Sequence, residues 1–474
     1  MTGRTHLTRA ELRASQLEQL RSLVSELFPA NSFYTRKLEN AGITFDVASL
    51  EDFSARFPFT TKQELVADQL SHPPFGTNLT YPLASYTRFH QTSGTTGTPL
   101  RWLDTPESWD WLVENWTQVF RAAGVQAGDR VCFAFSFGPF IGFWLAFQAA
   151  ERLGCLCLPT GGMSSVARVQ TILDNAATVL CSTPTYAMRL GEVAAEAGMD
   201  LKRSKVRVII VAGEPGGSIP ATRARIEQLW PGARVCDHHG MTEVGPVTYE
   251  CPAQPGVLHV IESGYYAEII EPSSGKPVQP GQPGELVLTP LGRVASPLLR
   301  YRTGDLVKPV AAGILPASEP GILPGGTGLG GSCGVGASSA GPGGKMPPSP
   351  AGRMTAATPC ACGSHALALA GGILGRVDDM VVVRGVNIYP SAVEDVIRSV
   401  GGVAEYQAHV TARGPLTELA VTIEPESGYA DAPALVAKLE RAFDSAFSLR
   451  LPVTLAAPGS LPRFEMKAKR WVRE

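Results

Sequence analysis

The chain has 474 residues, 44% of them hydrophobic and 18% charged, which is enough apolar material for two or more cores. A formal net charge of −2 leaves no basic excess, so nucleic acid is not expected as a partner. The opening MTGRTHLTRAELRASQ lacks the apolar stretch of a secretory leader and the nine cysteines are scattered, so reduced thiols or metal ligands in a cytoplasmic protein are expected rather than a disulfide framework.

Residues 7–45 read as helical, with Leu7, Leu12, Leu17, Leu20 and Leu23 at helix-like intervals between charges. Thr61-Lys62-Gln63-Glu64 has the form of a capping box opening another helix before Leu65. From about 88 to 240 strand-like and helix-like pieces alternate. The expected strands are Val131–Phe135, Cys155–Leu158, Thr178–Cys181, Val206–Val211 and Arg234–Cys236, and helices such as Pro106–Ala123 and Val166–Asp174 lie between them. This alternation predicts an α/β fold with a parallel sheet covered by helices. The uncharged run 131–150 is long enough to span a bilayer, but Gly138-Pro139 interrupts it. A buried strand, a turn and a core helix are expected there, and no membrane contact.

Residues 256–310 are strand-rich with turn signals, as in a β subdomain, and beyond Asp378 a compact α+β unit of about a hundred residues follows. Between them, residues 311–358 hold 13 Gly and 7 Pro with only Glu319, Lys345 and Arg353 charged. Such a composition cannot bury a core and predicts a flexible, solvated insertion. Gly326-x-Gly328-x-x-Gly331 inside it matches the dinucleotide fingerprint only formally, because no strand leads in and no helix follows.

The strongest local signal is Thr92-Ser93-Gly94-Thr95-Thr96-Gly97-Thr98-Pro99. Its glycines let the backbone form a nest of N–H donors and its hydroxyls add more, which suits a polyphosphate; the Gly-Lys-Ser/Thr ending of a P-loop is absent. Aromatic residues Phe135, Phe140 and Trp144 on one side of the sheet, with Ala212 and Pro246 on another, are the expected walls of a pocket for a flat acid.

Six segments occur in a fixed order: TSGTTGTP at 92–99, AGEPGGS at 212–218, DHHGMTE at 237–243, YRTGD at 301–305, GRVDD at 375–379 and LPRFEMKAKR at 461–470. Together they resemble the adenylate-forming superfamily. The run GGILGRVDDMVVVRGVNIYP at 371–390 resembles its phenylacetate–coenzyme A ligase branch. The resemblance implies a large N-terminal AMP-binding domain, 1–377, carrying the insertion 311–358, and a small mobile C-terminal domain, 378–474. It also implies an ATP-dependent acid–thiol ligase: a carboxylate, here an aryl or arylacetic acid, attacks the α-phosphate of ATP, and the acyl adenylate then passes to coenzyme A. AMP and pyrophosphate are released.

The resemblance distributes the roles as follows. Thr92 to Gly97 hold phosphates, and Gly213 and Glu214 lie along adenine. Asp237, His239, Gly240, Met241 and Thr242 line the nucleotide, His239 standing where the family usually has tyrosine. Glu243 is the Mg²⁺-associated acid and Asp305 accepts from the ribose hydroxyls. Lys467 is the adenylation lysine, with Lys469 as alternative, although Met466 stands where the family usually has glycine. Asp378 is the hinge acid about which the small domain rotates, Arg376 precedes it as a catalytic cation, and Arg384-Gly385 form a strand turn that approaches the site after rotation.

Two cysteines at Cys360-x-Cys362, a further Cys251 and His259 complete a Cys₃His set suited to structural zinc, and the resemblance carries a similar set. Three readings stay open beside a coenzyme A ligase: transfer to a carrier-protein thiol, transfer to an amine, and a nucleotide-binding pseudoenzyme blocked by the insertion. The oligomeric state, a homodimer included, is also open.

Overall fold

The computed structural model describes residues 7–92, 98–135, 137–310, 359–377, 379, 381–383, 386–413, 416–464 and 468–473. Four helices open the chain: α1 (Arg9–Leu27), α2 (Ser32–Asn40), α3 (Leu50–Arg56) and α4 (Lys62–Ser71). The helical stretch expected over 7–45 is two helices. Pro29 has no N–H to continue the first, and the Asn31 side chain starts the second by accepting from Tyr34 N. The capping box at α4 is present, with Thr61 and Glu64 each satisfying the other's backbone.

Strands β1 (Arg88–Gln91) and β2 (Arg101–Asp104) pair antiparallel. Their junction is closed by Thr92 N donating to Leu100 O at 2.9 Å and Leu100 N to Thr92 Oγ1 at 3.0 Å. Residues 93–97 of the expected phosphate loop lie outside the described residues.

The next segment alternates as its sequence predicts: α5 (Pro106–Ala122), β3 (Arg130–Phe133), α6 (Ile141–Arg152), β4 (Leu156–Pro159), α7 (Ser165–Asp174), β5 (Val179–Ser182), α8 (Pro184–Glu196), β6 (Val208–Val211), α9 (Pro220–Leu229) and β7 (Arg234–Asp237). All five expected strands form one parallel sheet in the order β4-β3-β5-β6-β7. Its side chains alternate between two cores. Val131, Phe133, Val179 and Ile210 join α5 and α6, whereas Cys132, Leu180, Ile209 and Val235 join α7, α8 and α9. A sheet buried on both faces explains why its strands read as continuous apolar runs. The uncharged run 131–150 is β3, a turn and α6, and among the described residues no helix is long and apolar enough to cross a membrane.

A tight pair, β8 (Gly240–Met241) and β9 (Gly245–Pro246), leads into the β subdomain. That subdomain comprises β10 (Thr248–Glu250), β11 (Val257–Val260), β12 (Tyr265–Ile270), β13 (Gly284–Pro290), β14 (Tyr301–Pro309) and β15 (Ala368–Arg376), a six-stranded antiparallel sheet ordered β10-β11-β15-β14-β13-β12. The Gly/Pro-rich segment 311–358 lies outside the described residues. Its flanks are adjacent: Pro309 is the register partner of Leu369, and Val310 N donates to Ala368 O at 2.8 Å.

The C-terminal unit follows: β16 (Val381–Val383), β17 (Val386–Ile388), α10 (Pro390–Val400), β18 (Val403–Arg413), β19 (Leu416–Pro425), α11 (Ala432–Phe447), β20 (Val453–Leu455) and β21 (Trp471–Arg473). It has its own core, in which Val393, Ile397, Ala408, Val421, Leu435, Leu439 and Phe443 are buried. The chain is thus a large N-terminal and a small C-terminal domain, as expected.

Candidate active site

In the parallel sheet, β3 is flanked by β4 on one side and β5 on the other, so the strand order switches direction there. A crevice is expected beyond the C-terminal ends of such strands. The residues that follow β3, β5, β6 and β7 include Phe135, Thr183, Ala212-Gly213-Glu214 and His238-His239, so two of the six segments the sequence singled out, AGEPGGS and DHHGMTE, border it.

After β7 the chain is tightly held. Asp237 accepts from Ser218 Oγ at 2.5 Å and from His238 N at 2.9 Å, and burial raises its carboxyl pKa. His238 is buried against Trp116, with ring centres 4.2 Å apart, and its Nδ1 donates to Thr248 O at 2.7 Å. Burial pushes its pKa down to about 3, so the ring is neutral. Gly240 must be glycine: a Cβ there would sit 2.8 Å from Gly245 O. His239 Nε2 stands 3.2 Å from Asp305 Oδ2, and Asp305 Oδ1 stands 3.4 Å from Arg376 Nη1. Asp305 in β14 and Arg376 in β15 are register partners, so the sheet itself brings them together.

Glu243 is buried, and its Oε1 lies 3.2 Å from Lys62 Nζ and accepts from Tyr301 Oη at 3.5 Å. Its turn is fixed from below by Arg293, whose Nη1 donates to Thr242 O at 2.9 Å and to Glu243 O at 2.8 Å. Arg293 and Asp104, both 0% exposed, form a bidentate pair at 2.7 and 2.6 Å, and the guanidinium lies over Trp102 at 5.2 Å. Sequence reasoning missed Lys62, Asp104 and Arg293. Lys62 was read only as part of the capping box of α4, and Asp104 and Arg293 are single charges with no motif around them that meet across 189 positions.

Of the residues expected to wall an acid pocket, Phe135 and Trp144 are joined through Phe137, a ring the sequence did not single out. Phe135 is buried beside Phe137 (5.9 Å between ring centres), and Phe137 lies edge-on to Trp144 at 4.9 Å. Trp144 donates from Nε1 to Gly138 O at 2.9 Å and keeps 40% of its surface exposed. Phe140 precedes the first turn of α6, and α6 packs on the β8–β9 pair that holds Pro246. Ala212 is half-buried after β6.

Both carboxylate oxygens of Glu214 accept from protein donors, Thr185 N and Ala468 N. Lys467 and Asp378 lie outside the described residues, as do Arg384 and Gly385; Lys469 is exposed.

Away from the crevice, the four expected metal ligands converge. The ligand atoms of Cys251, His259, Cys360 and Cys362 all lie within 4.8 Å of one another. Cys251 Sγ is 3.5 Å from Cys360 Sγ, and Cys362 Sγ is 3.4 Å from His259 Nε2. His259 Nδ1 faces Ala366 O at 3.3 Å, which leaves Nε2 for the cluster.

Residues 89–290 match the AMP-binding enzyme family and residues 385–474 the AMP-binding enzyme C-terminal domain. The phenylacetate-coenzyme A ligase of Pseudomonas putida is 30% identical over 470 residues, which cover 96% of this chain and 93% of that protein. The chain belongs to the phenylacetate–coenzyme A ligase family of AMP-binding enzymes. It is an acid–thiol ligase that works through an acyl adenylate.

Crystal structures of 2-hydroxyisobutyryl-CoA ligase add a conformational comparison. In its postadenylation state with 2-HIB-AMP, that enzyme gives a TM-score of 0.85 at 27% identity, covering 99% of this chain and 91% of its own. With 2-HIB-AMP and CoA in the thioesterification state it gives 0.68 at the same identity and coverage. The two domains of the present ligase are arranged more nearly as in the postadenylation state.

Proposed function

We propose that this ligase activates an aryl or arylacetic acid with ATP and delivers the acyl group to coenzyme A, releasing AMP and pyrophosphate. The observation that carries the substrate class is the aromatic wall at the end of β3, where Phe135, Phe137 and Trp144 pack in sequence beside α6. Such a wall favours a flat ring held by stacking and burial.

In this reading Thr92 to Gly97 cradle the polyphosphate, and Gly213 with the turn Asp237 to Thr242 borders the nucleotide. Asp305 accepts from the ribose hydroxyls, in exchange for its contact with His239. Arg376 and Lys467 supply positive charge where the pentavalent α-phosphate gains negative charge, the point at which fixed cations help most. Glu243 suits Mg²⁺, because its buried carboxylate already faces a cation, the Lys62 ammonium, at 3.2 Å. Bound there, Mg²⁺ would neutralise phosphate charge. The small domain begins at 378, and Asp378 is its hinge.

Measuring AMP release over a panel of acids, with and without coenzyme A, tests the reading. Phenylacetate or a benzoate should give the highest turnover, and coenzyme A should be required for thioester. A preference for 2-hydroxyisobutyrate, or transfer only to a carrier protein or an amine, would replace it.

The Cys₃His cluster fits structural zinc. A tetrahedral site with bonds near 2.0–2.3 Å needs donor separations of about 3.3–3.8 Å, and the Cys251–Cys360 and Cys362–His259 pairs meet this. Zinc there would tie β11 and the chain beyond β10 to the segment entering β15. Elemental analysis should find about one zinc per chain in protein purified without added metal, lost together with thermal stability in Cys360→Ser. Stable protein without zinc would exclude the site.

A further inference from the structure

Glu214 lies in the segment expected to border adenine, yet both of its carboxylate oxygens accept from backbone amides. Oε1 accepts from Thr185 N at 2.9 Å, in the first turn of α8. Oε2 accepts from Ala468 N at 2.8 Å, across 254 positions and in the other domain. Ala468 directly follows Lys467. Thr185 holds the same segment a second time, because its Oγ1 accepts from Arg470 Nη1 at 3.4 Å. Arg470 is itself fixed in the small domain, donating to Glu405 at 2.6 and 3.1 Å and to Glu394 at 3.4 Å.

The chemistry of these contacts is directional. The first turn of a helix carries N–H groups without intrahelical partners and a partial positive charge, so it favours a carboxylate. Thr183 caps α8 through Tyr186 N, and the Thr185 N–H is left for Glu214. Burial raises the Glu214 carboxyl pKa, while the bonds from Ala468 and Thr185 lower it. One acid therefore links the large domain's α8 to the residue beside Lys467. Because its acceptor role is toward a main-chain amide, it fixes where the backbone of the terminal segment runs rather than the tip of a side chain.

We propose that Glu214 is a positioning residue, a latch between the two domains that sets the terminal segment for acyl-adenylate formation and lets go before thioester formation. The inference rests on reading Lys467 as the adenylation lysine. A hydrogen bond at 2.8 Å between the domains does not survive rotation of one against the other, so the latch belongs to one state. The domain arrangement in which it is closed is the one nearer the postadenylation state.

Glu214→Gln keeps the side chain's size but turns one acceptor into an NH₂ group that faces an N–H. It should slow ATP–pyrophosphate exchange by about tenfold to a hundredfold, the loss typical of a hydrogen bond to a charged group. Thioester formation from supplied acyl adenylate should change by less than about threefold. Hydrogen exchange at the peptide containing Ala468 should speed up, which a defect confined to the nucleotide pocket would not cause. Ala468→Pro removes the donor from the other side, and it keeps the test open should Glu214→Gln not fold. It should slow the same half-reaction, and the double variant should be no slower than the worse single one. Equal losses in both half-reactions, independent losses that multiply, or unchanged exchange at Ala468 would overturn the latch. Lys467→Ala separates the premises: if it adenylates normally, the lysine assignment fails. If it is disabled while Glu214→Gln adenylates at the normal rate, the latch alone fails.

Discussion

Arg293 and Arg470 are buried to a similar degree, 0% and 5% exposed at the side chain, and carboxylates hold both. Arg293 uses all three of its nitrogens inside the large domain: Nε and Nη2 on Asp104, and Nη1 on the carbonyls of Thr242 and Glu243. Arg470 is satisfied mainly by Glu405 and Glu394 within the small domain, and it reaches across to Thr185 with a single contact of 3.4 Å. The same side chain therefore builds two kinds of geometry. One arginine makes the Glu243 turn a permanent part of the fold. The other is held mainly from within the small domain, with one contact outside it.

Arg293→Met breaks the permanent arrangement and should have the largest effect. It leaves Asp104 as an unpaired buried carboxylate, so unfolding free energy should fall by about 3–5 kcal/mol, read by urea titration. Both half-reactions should suffer, since the Glu243 turn loses its support. A variant that is destabilised but keeps normal nucleotide affinity would show that the turn holds itself.

Lys467→Ala probes the conditional side. Adenylation should drop by about a hundredfold or more, while conversion of supplied acyl adenylate to thioester stays largely intact. If Lys469→Ala is the impaired variant instead, the contact is displaced by two positions along the segment.

A smaller effect is expected from His238, which lies beside the fixed turn. Its folded pKa is depressed from 6.5 to about 3, so its share of stability is fully present above pH 6.5 and is lost as pH falls toward 3. Through that window the unfolded chain binds a proton the folded one refuses, a slope of about 1.4 kcal/mol per pH unit. His238→Asn should remove that part of the slope in unfolding measured from pH 7 to 4. An unchanged slope would mean that other groups, such as His90 (held down to about 4 by burial), carry the acid sensitivity.

The smallest effect is expected from removing residues 313–356. The melting temperature should move by no more than about 2 °C and adenylation should be unchanged, because closure cost grows only by about 0.6 kcal/mol per doubling of loop length. A folded deletion variant unable to bind ATP would give the segment a role in the site.

Much of the large domain was legible because its signals are local. Five apolar runs separated by helical pieces became one parallel sheet, and Thr61 with Glu64 formed the expected cap. The Cys/His set was legible because its residue types are scarce, and the four ligand atoms do converge. What could not be read were meetings between single charges far apart in sequence. Lys62 faces Glu243 across 181 positions, and Glu214 reaches Ala468 across 254. Nothing in AGEPGGS separates a carboxylate that borders a nucleotide from one that grips the other domain, because both uses ask for the same acid on the same turn. The aromatic wall lies between these extremes: Phe135 and Trp144 were among the expected residues, but Phe137, which joins them, was not, and which rings remain exposed, as Trp144 does, depends on packing the sequence does not encode locally.

The hydrogen bond between Val310 and Ala368 has an engineering consequence. The chain leaves and re-enters the β sheet at neighbouring positions, so whatever connects them is mechanically decoupled from strand pairing. A guest domain whose own ends lie close together should replace residues 313–356 without opening the sheet. On the proposed rotation of the small domain, a fluorescent guest at that port and a second dye on the small domain would report each turnover as a change in distance, and the two half-reactions could be timed in single molecules.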